Sequence, residues 1–396
     1  MNTHSSILVC GTGIAGLACA LGAARAGGSV AILGPCVPPP VPGHDAYHPR
    51  VYALSPASQA LLQHLGVWRL LDARRITPVE TMEIHGDADG FLDLSAWHDA
   101  RQTLAWIVES GELERVLQQA VHVMGVTWHE DRFASLQVAA DEARVLTEAG
   151  QVLSTRLLVG ADGARSPVRL AAGVAHRYTP YGDQGVVAHV DIERPHQNRA
   201  CQWFTGDSVF ALLPMPDTDQ GPQASLVWSM PHGQALAWQA LDPDAQQQWL
   251  ASRALAITGG RLGRLHLRTA PRGFPLTLEY SDMVGPRVAL VGDAAHRVHP
   301  LAGQGLNLGL GDVQTLLQVL ADGRVAYPDP GDPRLLARYR RRRFEPVHAM
   351  GFVTHGLHRL FGTHCAPVAW ARNQGLRLVD DIPFIKRHLI RAAAGQ

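Results

Sequence analysis

The stretch from Ile7 to Leu33 restricts the fold of this chain more than any other. Ile7 to Cys10 form a short apolar run of the kind that makes a buried strand. Gly11-Thr12-Gly13-Ile14-Ala15-Gly16 then spells GxGxxG, Leu17 to Arg25 read as a helix, and Ser29 to Leu33 supply a return strand. A glycine turn between strand and helix is the context that dinucleotide binding requires, because backbone amides and the positive end of the helix meet there. Gly11 permits the tight turn, Gly13 lets the backbone approach a pyrophosphate, and Gly16 lets the helix pack closely. The pattern also expects Asp or Glu at the end of the second strand, to hold the adenosine ribose. Here that strand runs into Gly34-Pro35, and no acid follows until Asp45. The ribose is then held by backbone and water or by another loop, and the motif does not choose between FAD and NAD.

A second element is Arg287 to Asp312, RVALVGDAAHRVHPLAGQGLNLGLGD. Val288 to Val291 predict a buried strand ending at Gly292, with Asp293 as a carboxylate at the mouth of the sheet. Pro300 breaks the chain, Gly303 and Gly305 loosen it, and Asn307 opens a helical pattern through Leu308, Val313, Leu316, Leu317 and Leu320. Such a succession makes a cradle for a polar, partly anionic cofactor. The third element is Leu157 to Arg169, LLVGADGARSPVR. Its apolar strand ends at Gly160-Ala161-Asp162-Gly163, and Ser166-Pro167 is a helix N-cap followed by a first-turn proline.

In this order and at these separations, the three elements resemble the class A flavoprotein aromatic hydroxylases with the p-hydroxybenzoate hydroxylase fold. Within that class the chain resembles the UbiH/UbiF/VisC family of ubiquinone-biosynthesis hydroxylases. The family signature HP-[apolar]-[AG]-GQG-x-N-x-G-x-x-D is matched throughout by His299 to Asp312. Arg50 to Trp68 and the THGLHRLF segment from Thr354 are also similar to the family, so the likeness spans nearly the whole chain.

The resemblance implies FAD as cofactor and NAD(P)H as co-substrate. Gly11, Gly13 and Gly16, with Ile14 and Ala15 in the same turn, would face the pyrophosphate. Arg50 would neutralise phosphate or touch the ribityl chain, and Asp162 would belong to a DG motif serving the pyrophosphate. Asp293 would accept a hydrogen bond from a ribityl hydroxyl. Gly305, Leu306 and Asn307 would bring backbone N–H groups to the pyrimidine edge of the flavin, with Gly303 also counted among the cofactor-binding residues. Pro300, the one residue assigned to the catalytic position, would lie at the C4a edge. The implied cycle is reduction of FAD by NAD(P)H, reaction with O2, and oxygen transfer from a C4a-hydroperoxyflavin to the ring of a polyprenylated phenol. A helix N-terminus aimed at the flavin's N1 and O2 favours the negative charge of the reduced ring.

The expected fold class is α/β, a Rossmann-like FAD-binding domain with an inserted antiparallel β-sheet substrate domain and a helical C-terminal region. Residues 1–72, 100–175 and 276–330 are assigned to the FAD-binding domain, 73–99 and 176–275 to the substrate domain, and 331–396 to the C-terminal region. Ser55-Pro56 predicts a helix that Gly66 ends, and Glu112 to Val123 another with Leu113, Val116, Leu117 and Ala120 on one face. Val186 to Ile192, Ala200 to Thr205, Ser208 to Leu213 and Ala224 to Ser229 predict strands, which the resemblance makes the roof of the substrate cavity. Arg338 to Arg343 reads as a solvated helix face. Phe344, Val347, Gly351, Thr354, Leu357 and Phe361 read as a core stripe. Ile382 to Arg391, mixing apolar and basic residues, is expected to rest on a membrane surface.

Thirty-five basic and 35 acidic residues cancel, which argues against a nucleic-acid ligand. Five scattered cysteines form no CxxC pair, so no disulfide framework or zinc ribbon is expected, and a reducing cytoplasm fits. The small residues of Ile7 to Ala26 belong to the glycine turn, not to a signal sequence. His296 and His299 invite a metal hypothesis, but no further ligands stand near them in a recognisable pattern and no metal is expected. Ser110-Gly111 lacks the second glycine of a hydrolase elbow. Two alternatives stay open: a hydroxylase of the same fold acting on a small soluble aromatic, and a non-catalytic flavoprotein or scaffold of a biosynthetic complex; the expected location is the cytoplasm, with peripheral contact at the inner membrane. Lack of an obvious carboxylate-binding arginine pair weighs against the first.

Overall fold

The computed structural model describes residues 3–40, 43, 46–299, 303–363 and 365–395. The Ile7 run lies in a strand, Thr3–Cys10, at the centre of an eight-stranded sheet. Five parallel strands form its body, in the order Val288–Leu290, Val152–Gly160, Thr3–Cys10, Val30–Leu33 and Thr127–His129. Parallel strands covered on both faces need apolar side chains on both, which is why these runs do not alternate. Leu8, Val9, Ile32, Leu157, Leu158 and Leu290 are all buried. The helices Ile14–Arg25, Ser110–Val123 and Gln304–Gly323 pack with this sheet in one core.

Cys10 pairs with Gly160 on one side and Leu33 on the other, and Gly160 pairs with Leu290. The strands thus end level, and all three glycine turns leave the sheet along one edge. That edge, the carboxyl ends of parallel strands, is where an open α/β sheet leaves a crevice.

A second sheet has nine strands, including His176–Ile192, Arg199–Phe204, Val209–Thr218, Gly221–Pro231 and Arg272–Ser281. It is antiparallel except where Arg199–Phe204 runs parallel to Thr81–His85. Phe210, Trp228, Trp238 and Trp249 fill its outer face, with Phe210 edge-on to Trp228 at 4.8 Å and Trp238 stacked on Trp249 at 4.8 Å. The strand Arg272–Ser281 crosses the expected boundary at residue 275, so residues 276–281 belong to this sheet. Ile76–Val79 instead joins Val51–Leu54 and Ala105–Glu109 in a separate small sheet.

Three helices, Pro333–Phe361, Ala366–Asp381 and Pro383–Ala393, close the chain. The second docks on the hairpin Thr81–Ser95. Arg372 Nε donates to Asp87 Oδ1 at 3.0 Å, Gly90 N donates to Asn373 Oδ1 at 3.0 Å, and Asp93 N donates to Asp380 Oδ1 at 2.8 Å.

The helix Pro333–Phe361 corrects two expectations. Arg343 does not share the solvated face of its neighbours; it is buried, as is Tyr339 four residues earlier. Phe344 is 60% exposed and stacks on His348, whereas Val347, Gly351, Thr354 and Phe361 are buried. The core stripe therefore runs through Leu336, Tyr339, Arg343 and Val347, and Phe344 sits one residue out of phase with it. In the last helix Phe384 and Leu389 are exposed, but Lys386 is buried against Asp380 at 2.6 Å.

Candidate cofactor and substrate site

The turn after the first strand is shaped by its glycines. Gly11 has φ +119°, and a Cβ there would stand 2.2 Å from the Ala161 carbonyl oxygen. A Cβ on Gly16 would meet the Gly11 carbonyl at 2.2 Å, so Gly16 accommodates the turn itself. Gly13, the N-cap of the helix, faces open space with no atom within 4 Å of a Cβ. Ile14 is buried beneath, and Ala15 touches the next element: a Cβ on Gly292 would stand 3.3 Å from the Ala15 methyl. The N-terminal turn and the turn bearing Asp293 are therefore in contact.

The DG element lies between them. Ser166 caps the helix Pro167–Ala171, accepting from Arg169 N at 2.9 Å. Asp162 Oδ2 accepts from Val168 N at 3.0 Å, while its Oδ1 is buried without a partner among the described residues. Burial raises the Asp162 carboxyl above the usual range, against the pull of hydrogen bonds from Ser166 and Val168 and the charge of Arg169. Arg169 locks the corner to the third element, donating to the carbonyls of Ala294 and Ala164, each at 2.8 Å.

The third element begins its helix earlier than its spacing predicts. Gly303, at φ +66°, is the N-cap and Gln304 the first helical residue. Gly303, Gly305 and Leu306 line a cavity of about 370 Å³ together with Arg50, Asp293, His296 and Arg297. Its other walls are mostly apolar: Val79, Met82, Ile107, Val187, Leu213 and Val227, from the small sheet and the nine-stranded sheet. A helix N-terminus, with its unpaired amides, thus faces an apolar chamber. Arg50 lies at 4.8 Å over the ring of Tyr52, which also lines the cavity. Burial pushes the Tyr52 hydroxyl up to about 12, with Arg50 opposing and Asp293 reinforcing.

The Asn307 side chain makes its bonds within the protein. It does not line the cavity; its Oδ1 accepts from Ser55 N at 2.9 Å and Ser58 Oγ at 2.8 Å, and its Nδ2 donates to Ala53 O at 2.8 Å. Lying one turn inside the helix, it holds the helix N-terminus against the strand Val51–Leu54. Pro300 lies outside the described residues. Gly11, Gly13, Gly16 and Asp162 stand at the strand ends, apart from the lining of the chamber. Residues of the helix Pro333–Phe361 are likewise absent from that lining.

Beneath the Asp293 turn lies a network that local spacing does not announce. Asp312 is fully buried; its Oδ2 accepts from Gly292 N at 2.9 Å and contacts His296 Nε2 at 2.7 Å, and its Oδ1 accepts from Arg343 Nε at 2.7 Å. Arg343 also donates to the Leu308 carbonyl at 3.0 Å. Burial alone would raise the Asp312 carboxyl, but His296, Arg343 and the Gly292 amide together hold it below the usual range. His299 goes elsewhere. It is fully buried against Tyr181 and His358, and burial with the nearby His358 pushes its imidazole down to about 3.

The arrangement fits FAD. Open space over Gly13 and the unsatisfied Asp162 oxygen occur at the strand ends, and a helix N-terminus with Asp293 occurs in the chamber. Similarity to known proteins agrees. Residues 4–350 match the FAD-binding domain family. The chain is 35% identical to the ubiquinone hydroxylase UbiL of Rhodospirillum rubrum, over 99% of this chain and 90% of that protein. It is 31% identical to the 3-demethoxyubiquinol 3-hydroxylase of Escherichia coli, over 100% of this chain and 99% of that protein. The solved p-nitrophenol 4-monooxygenase PnpA from Pseudomonas putida DLL-E4 shares the fold, with TM-score 0.77 and 16% identity over 100% of this chain and 99% of that one. The chain belongs to the FAD-binding domain family, and within it is an FAD-dependent monooxygenase.

Proposed function

We propose that this protein hydroxylates the ring of a polyprenylated phenol in ubiquinone biosynthesis, using NAD(P)H and O2. The observation that carries this reading is the apolar chamber opening directly onto the N-terminus of the helix Gln304–Gly323 and onto Asp293. The names of the two relatives, a ubiquinone hydroxylase and a 3-demethoxyubiquinol 3-hydroxylase, support this substrate class.

The chemistry that FAD supplies when bound is two-electron transfer from NAD(P)H and activation of O2. Gly11, Gly13 and Gly16, with Ile14 and Ala15, make room for the pyrophosphate, and Asp162 offers its free oxygen beside it. Asp293 would accept a hydrogen bond from the ribityl chain, and Arg50, which lines the same chamber, would neutralise phosphate or touch that chain. The amides of Gly303, Gly305 and Leu306 would bind the pyrimidine edge, and Asn307 fixes their helix. The valines, Met82 and Ile107 hold the phenol ring and exclude water. The domain limits given from the sequence stand as part of this proposal, with the strand Arg272–Ser281 kept whole. The C-terminal helices expose Phe352, Trp370, Leu378 and Phe384, which suit a peripheral contact with the membrane that holds a prenylated substrate.

Arg272 and Arg297 favour a second reading. Both line the chamber, contrary to the expected lack of an arginine pair, although Glu279 neutralises Arg297 at 3.2 Å. A carboxylated aromatic would suit them.

The test is NAD(P)H oxidation by the FAD-loaded protein with each substrate class, product being analysed by mass. A prenylated phenol should raise the rate and appear hydroxylated. Stimulation by a hydroxybenzoate alone, or hydrogen peroxide without product, would overturn the assignment. In the same preparation Asp293→Ala should bind FAD roughly 10- to 100-fold more weakly, the loss expected for one hydrogen bond to a charged group.

A further inference from the structure

His299 is a buried side chain that the hydroxylase site does not use. Its ring has no exposed surface, and neither Nδ1 nor Nε2 has a hydrogen-bond partner among the described residues. A neutral imidazole carries one N–H and one lone pair, so such burial leaves both a donor and an acceptor unsatisfied.

Two other ligand-type side chains converge on it from distant parts of the chain. The strand His176–Ile192 slips register between Pro180 and Gln184, with Gly182 at φ +82°, and this bulge carries Asp183. His358 comes from the helix Pro333–Phe361, and its Nε2 lies 2.8 Å from Asp183 Oδ2. One ligating atom from each of Asp183, His299 and His358 falls within 4.8 Å of the others. Tyr181 completes the wall. Its ring packs on His299 at 5.2 Å and His358 at 4.6 Å, and its hydroxyl is also buried without a partner.

We propose that Asp183, His299 and His358 bind one divalent transition ion of the zinc type. Two imidazoles and a carboxylate suit a borderline cation. Three protein ligands leave a fourth position for water or for the Tyr181 hydroxyl. The ion occupies the space that orphans His299 and takes the place of the contact between His358 and Asp183. None of the four residues lines the substrate chamber, so the site is separate from the hydroxylation chemistry. Its effect is mechanical: it ties the last long helix and the sheet bulge to the residue four before Gly303. Bulges often serve to re-aim a side chain in this manner.

The test uses the full-length, FAD-loaded protein without a histidine tag, treated with a chelator and titrated with Zn2+ against a chromophoric competitor. One equivalent should bind and raise the melting temperature, and Co2+ should give the visible spectrum of a four-coordinate N/O site. His358→Asn and Asp183→Asn, both on the solvent side of the cluster, should each weaken binding about tenfold or more and abolish the thermal shift. Far-ultraviolet circular dichroism and FAD content check that both variants are folded. The proposal is overturned if the wild type binds no ion above the level of these variants. It is equally overturned if one equivalent binds as tightly in both variants, which would assign the metal to surface histidines.

Discussion

Asp312 and Glu83 are both buried carboxylates held by cations from remote segments, yet they belong to different kinds of site. Asp312 lies under the cofactor turn with no exposed surface, and its partners His296 and Arg343 are also buried. Glu83 lies in the strand Thr81–His85, receiving Arg261 Nε at 3.0 Å and Arg199 Nη1 at 2.6 Å. Those two arginines are 46% and 38% exposed. At Glu83 water can replace a lost partner; at Asp312 it cannot. Ion pairing at Glu83 therefore tunes stability, whereas under the Asp293 turn it is a condition for the turn's shape.

Asp312→Asn should break this contrast most visibly. Loss of the charge leaves Arg343 buried without a counter-ion and weakens the Gly292 contact, a destabilisation of about 3–5 kcal/mol. Urea unfolding should show it, together with loss of FAD on gel filtration. A stable, yellow variant would mean that the network is ornamental.

Glu83→Gln should act through pH. Burial raises the Glu83 carboxyl, but the hydrogen bonds and charges of Arg261 and Arg199 outweigh it and hold the group at about 2, against 4.5 as its ordinary value. The depressed acid contributes stability that is fully present above pH 4.5 and lost as pH falls towards 2. That contribution is about 3 kcal/mol at neutral pH. The variant should be less stable at pH 7 and should show a flatter acid limb in melting curves. Identical limbs for the two proteins would refute the pairing. Arg342→Ala, one residue from Arg343 but exposed and only 3.5 Å from Asp322, should change stability by less than about 0.5 kcal/mol.

The same contrast explains what the sequence discloses. The glycine turn, the Ser55-Pro56 and Ser166-Pro167 helix starts, and the face Leu113, Val116 and Leu117 are local devices, and neighbouring residues suffice to specify them. Asn307 has the right position in the motif, but its side-chain partners lie some 250 residues away, so no local rule assigns its clamp. Arg343 was legible in part. Tyr339 is four residues before it and Val347 four after, so the stripe passes through the arginine run. Asp183, His299 and His358 share no spacing at all. The bulge in the strand His176–Ile192 brings them together, and alternation cannot foretell a bulge.

The docking of the helix Ala366–Asp381 on the hairpin Thr81–Ser95 also sets a schedule for synthesis. The ribosome makes the hairpin about 285 residues before its cover, Arg372, Asn373 and Asp380, emerges. At bacterial and eukaryotic elongation rates the hairpin waits roughly 15–55 s with the edge strand Phe91–Ser95 uncovered. An uncovered edge recruits other strands. The nascent chain is most exposed to misassembly in that interval, when a holding chaperone would do most for its yield.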